Sequence, residues 1–296
     1  MNNPIANRYE FVLFFDVENG NPNGDPDAGN MPRVDFETGQ GLVTDVCIKR
    51  KIRDYIDMKM QDQDGYHMLI KQDNILINRK IERAVEETAI ELDKGKIVKK
   101  DAPTVAQWIC AQYYDVRAFG AVISVGAASN IGNYGQIRGP VQMGFAKSID
   151  PVFPQEITIT RVSVTSEKDS ANTNTMGRKH IVPYGLYRMD GYVSAMFAQK
   201  NGGITGFSES DLELLWEAME NMFEHDHSAA RGKMALRKLI IFKHDSALGN
   251  APAHKLFDLI RTGRTDETKA PRKFADYRIS IDREGVPAGV TLIERV

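Results

Sequence analysis

Three basic residues with helical spacing, Lys49, Arg50 and Arg53, offer the clearest chemistry in the sequence. At about 100° per residue they project within about 100° of one another, away from the apolar residues of the same segment. No acidic residue is interleaved between positions 49 and 51, so we expect no ion pairs within the helix to neutralise them. Unpaired positive charge on a rigid helix attracts phosphate oxygens and gains from counterion release. The alternative interpretation is a charged face that only water covers.

A group of carboxylates, Asp25, Asp27 and Asp35, allows a second chemistry, the binding of Mg²⁺ for cleavage of a phosphodiester. These residues lie in a stretch rich in Asn, Gly, Pro and Asp, which are also the residues of exposed turns. A calcium loop does not fit, because Asn30 stands where the closing glutamate would be. The sequence shows no Walker loop, dinucleotide fingerprint, nucleophile elbow or zinc-type Cys/His pairing. We therefore expect no enzymatic activity, metal or cofactor, and keep a metal-dependent ribonuclease as the alternative.

The elements that must position these residues are a strand before the polar stretch and a helix after it. Residues 9–17 form a dense apolar run that is typical of a buried central strand. The helix is predicted to begin near Thr44, which suits an N-cap, with Asp45 in the first turn. Its core-facing stripe is predicted to consist of Ile48, Ile52, Tyr55 and Ile56.

The middle of the chain mixes helical and strand patterns. Residues 62–113 are predicted to be an inserted helical layer, and apolar residues alternate as in a strand at 141–145. Residues 165–180 are polar and basic, which predicts a long exposed loop. After it, Asp190-Gly191 separates two β-type runs and indicates the turn of a hairpin.

The last third of the chain supplies a second core helix and further strands. Residues 208–211 form a capping box that opens an amphipathic helix, and 239–242 are predicted to be a buried strand. A last hairpin is predicted over 278–295. Without the insertions, the order is strand, helix, strand, strand, helix, strand, which is the α+β, ferredoxin-like arrangement. No linker divides the chain, so we expect one elaborated domain over residues 1–296.

The composition limits the class of protein. With 42% apolar and 26% charged residues the chain is globular rather than disordered. No apolar run reaches the roughly 18 residues of a membrane span, and the N-terminus lacks a secretion signal, so we expect a cytoplasmic location. The net charge of −2 means that any binding of nucleic acid must come from basic residues gathered on one face.

Three further basic segments are weaker candidates. Residues 138–145 open with Arg-Gly and end in Phe like an RNA-recognition octamer, but Pro140 and Gln142 replace its stacking aromatics, so we expect no base stacking there. Residues 176–180 are a basic tip at the end of the exposed loop. Arg231 begins a basic stretch before the strand at 239–242. Each could equally be ordinary solvated surface.

Four segments taken together, 15–26, 44–53, 138–145 and 176–184, resemble the backbone subunit of the type I-C CRISPR surveillance complex, Cascade, in the seventh Cas protein family of the RAMP superfamily. The Asn/Gly/Asp/Pro loop directly after the first strand is the most specific part. The resemblance implies an RRM-like palm, a helical finger at 62–113 and an extended β-hairpin thumb at 160–190. It implies that several copies stack head to tail along one CRISPR RNA, whose base pairing reads the target DNA.

The same resemblance implies partners and contacts. The partners are CRISPR RNA, further copies of the chain, and the repeat-processing, large and small subunits of Cascade. Related subunits of type III complexes use a loop aspartate to cut RNA, but the resemblance to type I argues against cleavage. The residues expected to contact RNA are Asn19, Asn21, Asn23, Thr44, Lys49, Arg50, Arg53, Arg138, Gln142, Met176, Arg178, Lys179 and Arg231.

Overall fold

Strand β1 (Tyr9–Gly20) is the centre of the fold in this computed structural model. The structure describes residues 3–61, 63–73, 75–91, 97–98, 100–123, 136–161, 175–199 and 205–296. The other strands are β2 (Gly24–Asp25), β3 (Met31–Pro32), β4 (Gln40–Val43), β5 (Gly120–Val122), β6 (Gln136–Arg138), β7 (Val141–Met143), β8 (Ala146–Pro151), β9 (Gln155–Arg161), β10 (Thr175–Val193), β11 (Lys233–His244), β12 (Ile260–Arg264), β13 (Tyr277–Ile281) and β14 (Val290–Arg295). The helices are α1 (Asp45–Met60), α2 (Ile77–Glu87), α3 (Ala102–Gln112), α4 (Tyr114–Phe119), α5 (Ala195–Ala198), α6 (Glu209–Asn221) and α7 (Ala253–Phe257), with 3₁₀ turns at Pro26–Ala28 and Phe274–Asp276.

The main sheet is antiparallel and has the strand order β14-β11-β1-β10-β8-β4. Strands β7 and β9 pair with separate parts of the long β10. Strand β1 therefore has a hydrogen-bonded neighbour along both edges, as expected for the buried central strand that its apolar run predicts. The result is a mixed fold with one large antiparallel sheet and several helices.

The two faces of β1 are both buried, but against different elements. On one face Phe11, Leu13 and Phe15 pack in one hydrophobic cluster with residues of α1 and α6. On the other face Val12 and Phe14 pack in a cluster with residues of α7, β12 and β13. Alternate residues of β1 thus serve two cores, which explains why the run is apolar without interruption.

Helices α1 and α6 begin where the sequence predicts. Ile48, Ile52 and Ile56 are fully buried on α1, which confirms the predicted stripe. At the start of α6 the side chain of Ser208 accepts from the N–H of Asp211, whose carboxylate accepts from the N–H of Ser208. The predicted capping box is therefore present.

Strand β10 overturns two predictions. Asp190-Gly191 is not a hairpin turn but lies inside a continuous strand of 19 residues. Gly191 faces Phe11 across the sheet, and its missing side chain leaves room for the phenyl ring. Residues 175–180, predicted as loop, form the first part of β10 and pair with β9. The rest of that predicted loop, residues 165–174, lies outside the described residues.

The C-terminal segment also departs from prediction. Residues 278–295 do not form one hairpin, because β13 pairs with β12 while β14 pairs with β11 at the edge of the main sheet. The two strands belong to different sheets: β13 pairs with the strand directly before it in the chain, whereas β14 pairs with β11 more than 40 residues earlier.

The predicted helical layer contains α2 and α3, which share a separate apolar cluster that includes Ile81, Val85 and Ile109. After this layer α4 ends at Phe119, and β5 begins directly at Gly120. None of the helices within the described ranges is long and apolar enough to cross a membrane.

The packing of Gly191 makes a prediction about stability. A methyl group at Gly191 would lie 2.1 Å from a ring carbon of Phe11 in the middle of the sheet. We expect Gly191→Ala to lower the free energy of unfolding by about 1–3 kcal/mol through overpacking. The matched control is Gly263→Ala in β12, where nothing lies within 4 Å of the added carbon and φ is not in the left-handed region. Urea unfolding of both variants is the measurement, and equal stability would contradict the strand register described here.

Candidate nucleic-acid interface

The basic residues predicted on the surface of α1 are ion-paired within this chain. Lys49 Nζ lies 2.8 Å from Asp45 Oδ2, one helical turn earlier. Arg50 Nε lies 3.3 Å from Asp54 Oδ2, one turn later. The expectation that these cations lack acidic partners is therefore wrong, because the acids stand four positions away rather than between them. That the cations contact RNA stays a prediction.

Arg53 belongs to the framework that holds α1 in place. Its Nε lies 2.8 Å from Asp115 Oδ2, and that buried carboxylate also accepts from the backbone N–H groups of residues 69–70 at 2.8 and 3.1 Å. The guanidinium carbon lies 5.2 Å from the centre of the Phe119 ring. Removing one partner of such a buried pair costs about 3–5 kcal/mol. Arg53 therefore fastens α1 to the helical layer, whereas Arg50 is the most exposed of the three predicted cations.

Lys51 is a cation of α1 that the sequence analysis did not single out. Its side chain is 4% exposed and forms an ion pair with Asp226. Burial, together with the charge of Arg231, lowers the pKa of Lys51 to about 8. The ion pair with Asp226 favours the charged form, and this carboxylate, one-third exposed, also lies 3.5 Å from Arg231. The burial of Lys51 could have been predicted from its position on the helix, since at 100° per residue it lies within about 60° of the core residue Ile48.

Three cations gather where α1, the loop after β1 and the turn before β11 meet. This basic cluster consists of Arg33, Lys51 and Arg231. Burial raises the pKa of the Cys47 thiol, and the charges of all three cations oppose that rise, which places them around one side chain. Their carboxylate partners are Asp226, shared by two of them, and Asp25, 3.4 Å from Arg33. Among the described residues, three positive charges thus form ion pairs with two carboxylates.

The loop after β1 is held against the turn before β11. Arg231 Nη1 donates to the backbone carbonyls of Asn21 and Pro22 at 3.2 and 3.1 Å. Gly232 has a φ of +63°, and a Cβ there would lie 2.4 Å from the carbonyl oxygen of Asn19, so only glycine allows this approach. Asn19 itself is exposed at the end of β1, with a left-handed φ of 54°. The loop is therefore fixed beside the basic cluster.

Asn23 connects the same loop to the first residue before α1. Its Oδ1 accepts from both the backbone N–H and the hydroxyl of Thr44, each at 2.9 Å. Thr44 does hold the N-cap position, but its hydroxyl donates to Asn23 instead of accepting from the helix. The Oδ1 of Asn21 is buried without a hydrogen-bond partner among the described residues. Of the predicted RNA contacts, the structure brings together Asn21, Asn23, Thr44 and Arg231.

The predicted thumb residues lie elsewhere, on the paired strands β9 and β10. Met176 is highly exposed there, and Arg178 pairs with Glu156 at 3.2 Å. Lys179, opposite Ile157 in the register, is half-buried. These three residues are thus presented by a two-stranded ribbon rather than by a loose loop.

The two predicted contacts from the RNA-recognition-like octamer are engaged within the chain. The guanidinium carbon of Arg138, on β6, lies 4.3 Å from the centre of the Phe197 ring. The side-chain amide of Gln142, on β7, donates to the carbonyl of Gly139 at 3.0 Å. Both side chains therefore have structural roles of their own, and neither joins the basic cluster.

The carboxylates of the proposed ribonuclease site have structural partners. Asp25 accepts from the N–H of Asp27 at 3.2 Å and pairs with Arg33. Asp35 accepts from the N–H of Glu37, which lowers the pKa of that carboxyl. Within the described residues, no three His, Cys, Asp or Glu side chains are grouped so that they could hold a metal. The arrangement gives the ribonuclease alternative no support.

The family of the chain follows from its sequence relatives. The model of the family described as CRISPR-associated protein Cas7 matches residues 7–282. This chain belongs to the Cas7 family. A relative from Haloferax volcanii, described as CRISPR-associated protein Cas7, is 27% identical over 292 residues, which is 93% of this chain and 81% of the relative.

Solved structures give a weaker likeness to this Cas7 chain. A chain of a "CRISPR RNA-guided surveillance complex, pre-nicking" has a TM-score of 0.48 at 13% identity, covering 79% of this chain and 78% of the other. A chain of the "Type III-B Cmr-beta bound to cognate target RNA" has a TM-score of 0.42 at 11% identity, covering 79% of this chain and 61% of the other. Likenesses at this level carry no argument about the site.

The buried Lys51 makes a prediction about pH. Below about pH 8 the folded Cas7 chain bears the cost of a charged, buried lysine, and above that pH it releases the proton before the unfolded chain does. The stability of the wild type relative to Lys51→Met should therefore rise between about pH 8 and the ordinary lysine pKa of 10.5. Urea unfolding at neutral and at alkaline pH measures this difference. Arg50→Met is the control on the same helix, because it removes a cation whose side chain is 54% exposed instead of buried. A pH-independent difference for Lys51→Met would contradict the assignment.

Proposed function

We propose that this protein is a CRISPR RNA-binding backbone subunit of a type I-C Cascade complex. The observation that carries the proposal is the basic cluster, in which three cations share two carboxylates beside the polar loop after β1. Membership of the Cas7 family supports a role with CRISPR RNA. The excess positive charge lies at the junction of three elements and suits a phosphate of an RNA backbone.

The electrostatics of the basic cluster favour an anionic ligand. Lys51 is charged at neutral pH only at a cost, because it is buried close to Arg231. A phosphate placed beside the two would offset both the desolvation and the repulsion between them. Arg33 and Arg231 are each about one-third exposed, so their guanidinium groups can reach such a ligand directly. Their planar shape matches two phosphate oxygens at once.

The architecture supports the palm, finger and thumb of the proposed subunit. The order β11-β1-β10-β8, with α1 after β1 and α6 before β11, corresponds to a split βαβ palm. We assign residues 62–113, with their separate apolar cluster, to the finger. We assign residues 160–190 to the thumb; its first part of β10 pairs with β9, which begins at Gln155 just before this range.

The proposed assembly of several copies uses apolar side chains that are exposed in the single chain. On the ribbon of β9 and β10, Ile157 and Ile159 are exposed on one face, and Met176 is exposed on the other. We propose that this ribbon contacts the next copy along the RNA, since a head-to-tail contact between different surfaces builds an open filament. Pairing of the bound guide then reads the target DNA, and the repeat-processing, large and small subunits complete a cytoplasmic complex. The subunit itself is proposed to be non-catalytic.

The test of the basic cluster is the salt dependence of RNA binding. Arg33→Gln combined with Arg231→Gln should weaken binding of single-stranded RNA about tenfold or more at low salt. The slope of log K against log salt should decrease by about 0.7 for each phosphate contact removed. Fluorescence anisotropy at several salt concentrations gives both quantities.

The matched control for that test is Arg79→Gln on α2, where the arginine is exposed and paired with Glu82, three positions along. The control should bind like the wild type. If the double variant keeps the wild-type slope, the basic cluster is not the phosphate site. Circular dichroism of the double variant confirms that the fold persists, which matters because Arg231 also bonds the loop after β1.

The test of the ribbon is the size of the ribonucleoprotein. Ile157→Ser combined with Ile159→Ser should reduce the number of copies bound per RNA, because the apolar contact to the next copy is lost. Thr158→Ser with Thr160→Ser is the control, since these residues lie on the other face of the same strand. Sedimentation of complexes purified with a CRISPR array measures the size, and an unchanged distribution for the isoleucine variant rules out this contact.

A further inference from the structure

A cavity of about 450 Å³ lies on the sheet at the junction of β7, β8 and β10. It is on the face opposite α1, because its residue Tyr192 pairs with Glu10, which alternates with the β1 residues that pack against α1. The cavity is therefore separate from the basic cluster, although the segment from Arg33 to Gln40 runs from one to the other. Its volume is within the range of sites for small organic groups, about 300–1,000 Å³.

Two exposed aromatic rings line this cavity. Phe145 is 57% exposed and lies at the break between β7 and β8, where the N–H of Gly144 donates to the carbonyl of Asp190 at 3.0 Å. Tyr192 is 42% exposed, and its ring contacts the edge of Phe257 with centroids 5.6 Å apart. The Tyr192 ring is thus held in position by Phe257. The backbone beside Phe145 is held by its hydrogen bond to β10.

The polar groups of the cavity leave one positive charge in excess. Arg188 and Asp190 neutralise each other, with Nε 2.8 Å from Oδ1. Lys147 is exposed, and no acid lies within ion-pairing distance of it in the part of the chain that the structure describes. Its charge acts on Asp35, which faces it from the loop before β4. Gln40 donates through Nε2 to the carbonyl of Ser148 at 2.9 Å, so its side-chain oxygen remains as an acceptor at the rim.

We propose that this cavity binds a single unpaired base of a nucleic-acid strand. The exposed rings of Phe145 and Tyr192 can each stack on a planar base, the oxygen of Gln40 can accept from its exocyclic amine, and Lys147 can contact the adjoining phosphate. The inference rests on the proposed function in that the strand is nucleic acid. It goes beyond that function because it adds contact with a base to contact with the backbone. This proposal differs from the expectation that residues 138–145 do not stack on bases, because that expectation rested on Pro140 and Gln142 and not on Phe145.

The test compares a normal strand with a strand that has no bases. Fluorescence anisotropy is measured for the wild type with oligoadenylate RNA, the DNA of the same sequence, and an abasic strand of equal length. The wild type should bind the strands with bases more tightly than the abasic strand. Phe145→Ala should lose about tenfold in affinity for the strands with bases and none for the abasic strand. Comparison of the affinities for RNA and for DNA of the same sequence shows which kind of strand supplies the base.

The control variant is Phe153→Ala, which removes another phenylalanine, 78% exposed, from a surface outside this cavity. It should bind all strands like the wild type, and equal melting temperatures for the two variants show that exposed phenylalanines are not needed for folding. Lys147→Gln should weaken binding of every strand, including the abasic one, and lower the salt dependence.

The outcomes separate this inference from the proposed function. If the wild type binds no strand at all, the proposed function fails and this inference fails with it. If the wild type binds but Phe145→Ala and Phe153→Ala behave alike on strands with bases, only the cavity assignment is overturned. If Phe145→Ala instead changes self-association without nucleic acid and leaves the preference for bases intact, the cavity receives a protein side chain, and the inference is also overturned.

Discussion

Strand β1 is buried on both faces and hydrogen-bonded along both edges, and the positions of all the other functional segments depend on this. Because β10 and β11 are aligned on its two sides, the end of β1 meets the start of β11 at one corner of the sheet. The polar loop leaves β1 at that corner, and the first turns of α1 return to it. The site is therefore built where three chain segments must meet, and not along any one of them.

At that corner the protein tolerates an unfavourable placement of charge. Lys51 is buried next to Arg231, and the single carboxylate of Asp226 serves both. Such an arrangement destabilises the protein at neutral pH, and in the proposed function a phosphate of the RNA would offset that cost. Elsewhere on α1 the charges balance, as in the pair of Arg53 with buried Asp115.

In the two proposals, the two faces of the sheet contact different parts of a nucleic-acid strand. The corner next to α1 offers guanidinium groups and backbone dipoles, which recognise phosphate without regard to sequence. The opposite face, between β7 and β8, offers two exposed rings and one lysine. The long β10 carries the ribbon at one end and Tyr192 at the other. One continuous strand thus sets the distance between the ribbon and the cavity.

The sequence by itself determined the local elements and the family. The apolar run of β1, the stripe of Ile48, Ile52 and Ile56, and the capping box of α6 were predicted correctly, because hydrophobic period and caps act over a few residues. The loop after β1 resembles the corresponding loop of the seventh Cas protein family, and the family model confirms that membership. Only the tertiary structure decided which charged side chains are ion-paired and which residues pack against each other. Arg53 is neutralised by an acid 62 positions away, Lys51 shares an acid 175 positions away, and Gly191 lies inside a strand because Phe11 requires the space. Ion pairing and ring packing act through space over a few ångströms, so separation along the chain carries no record of them.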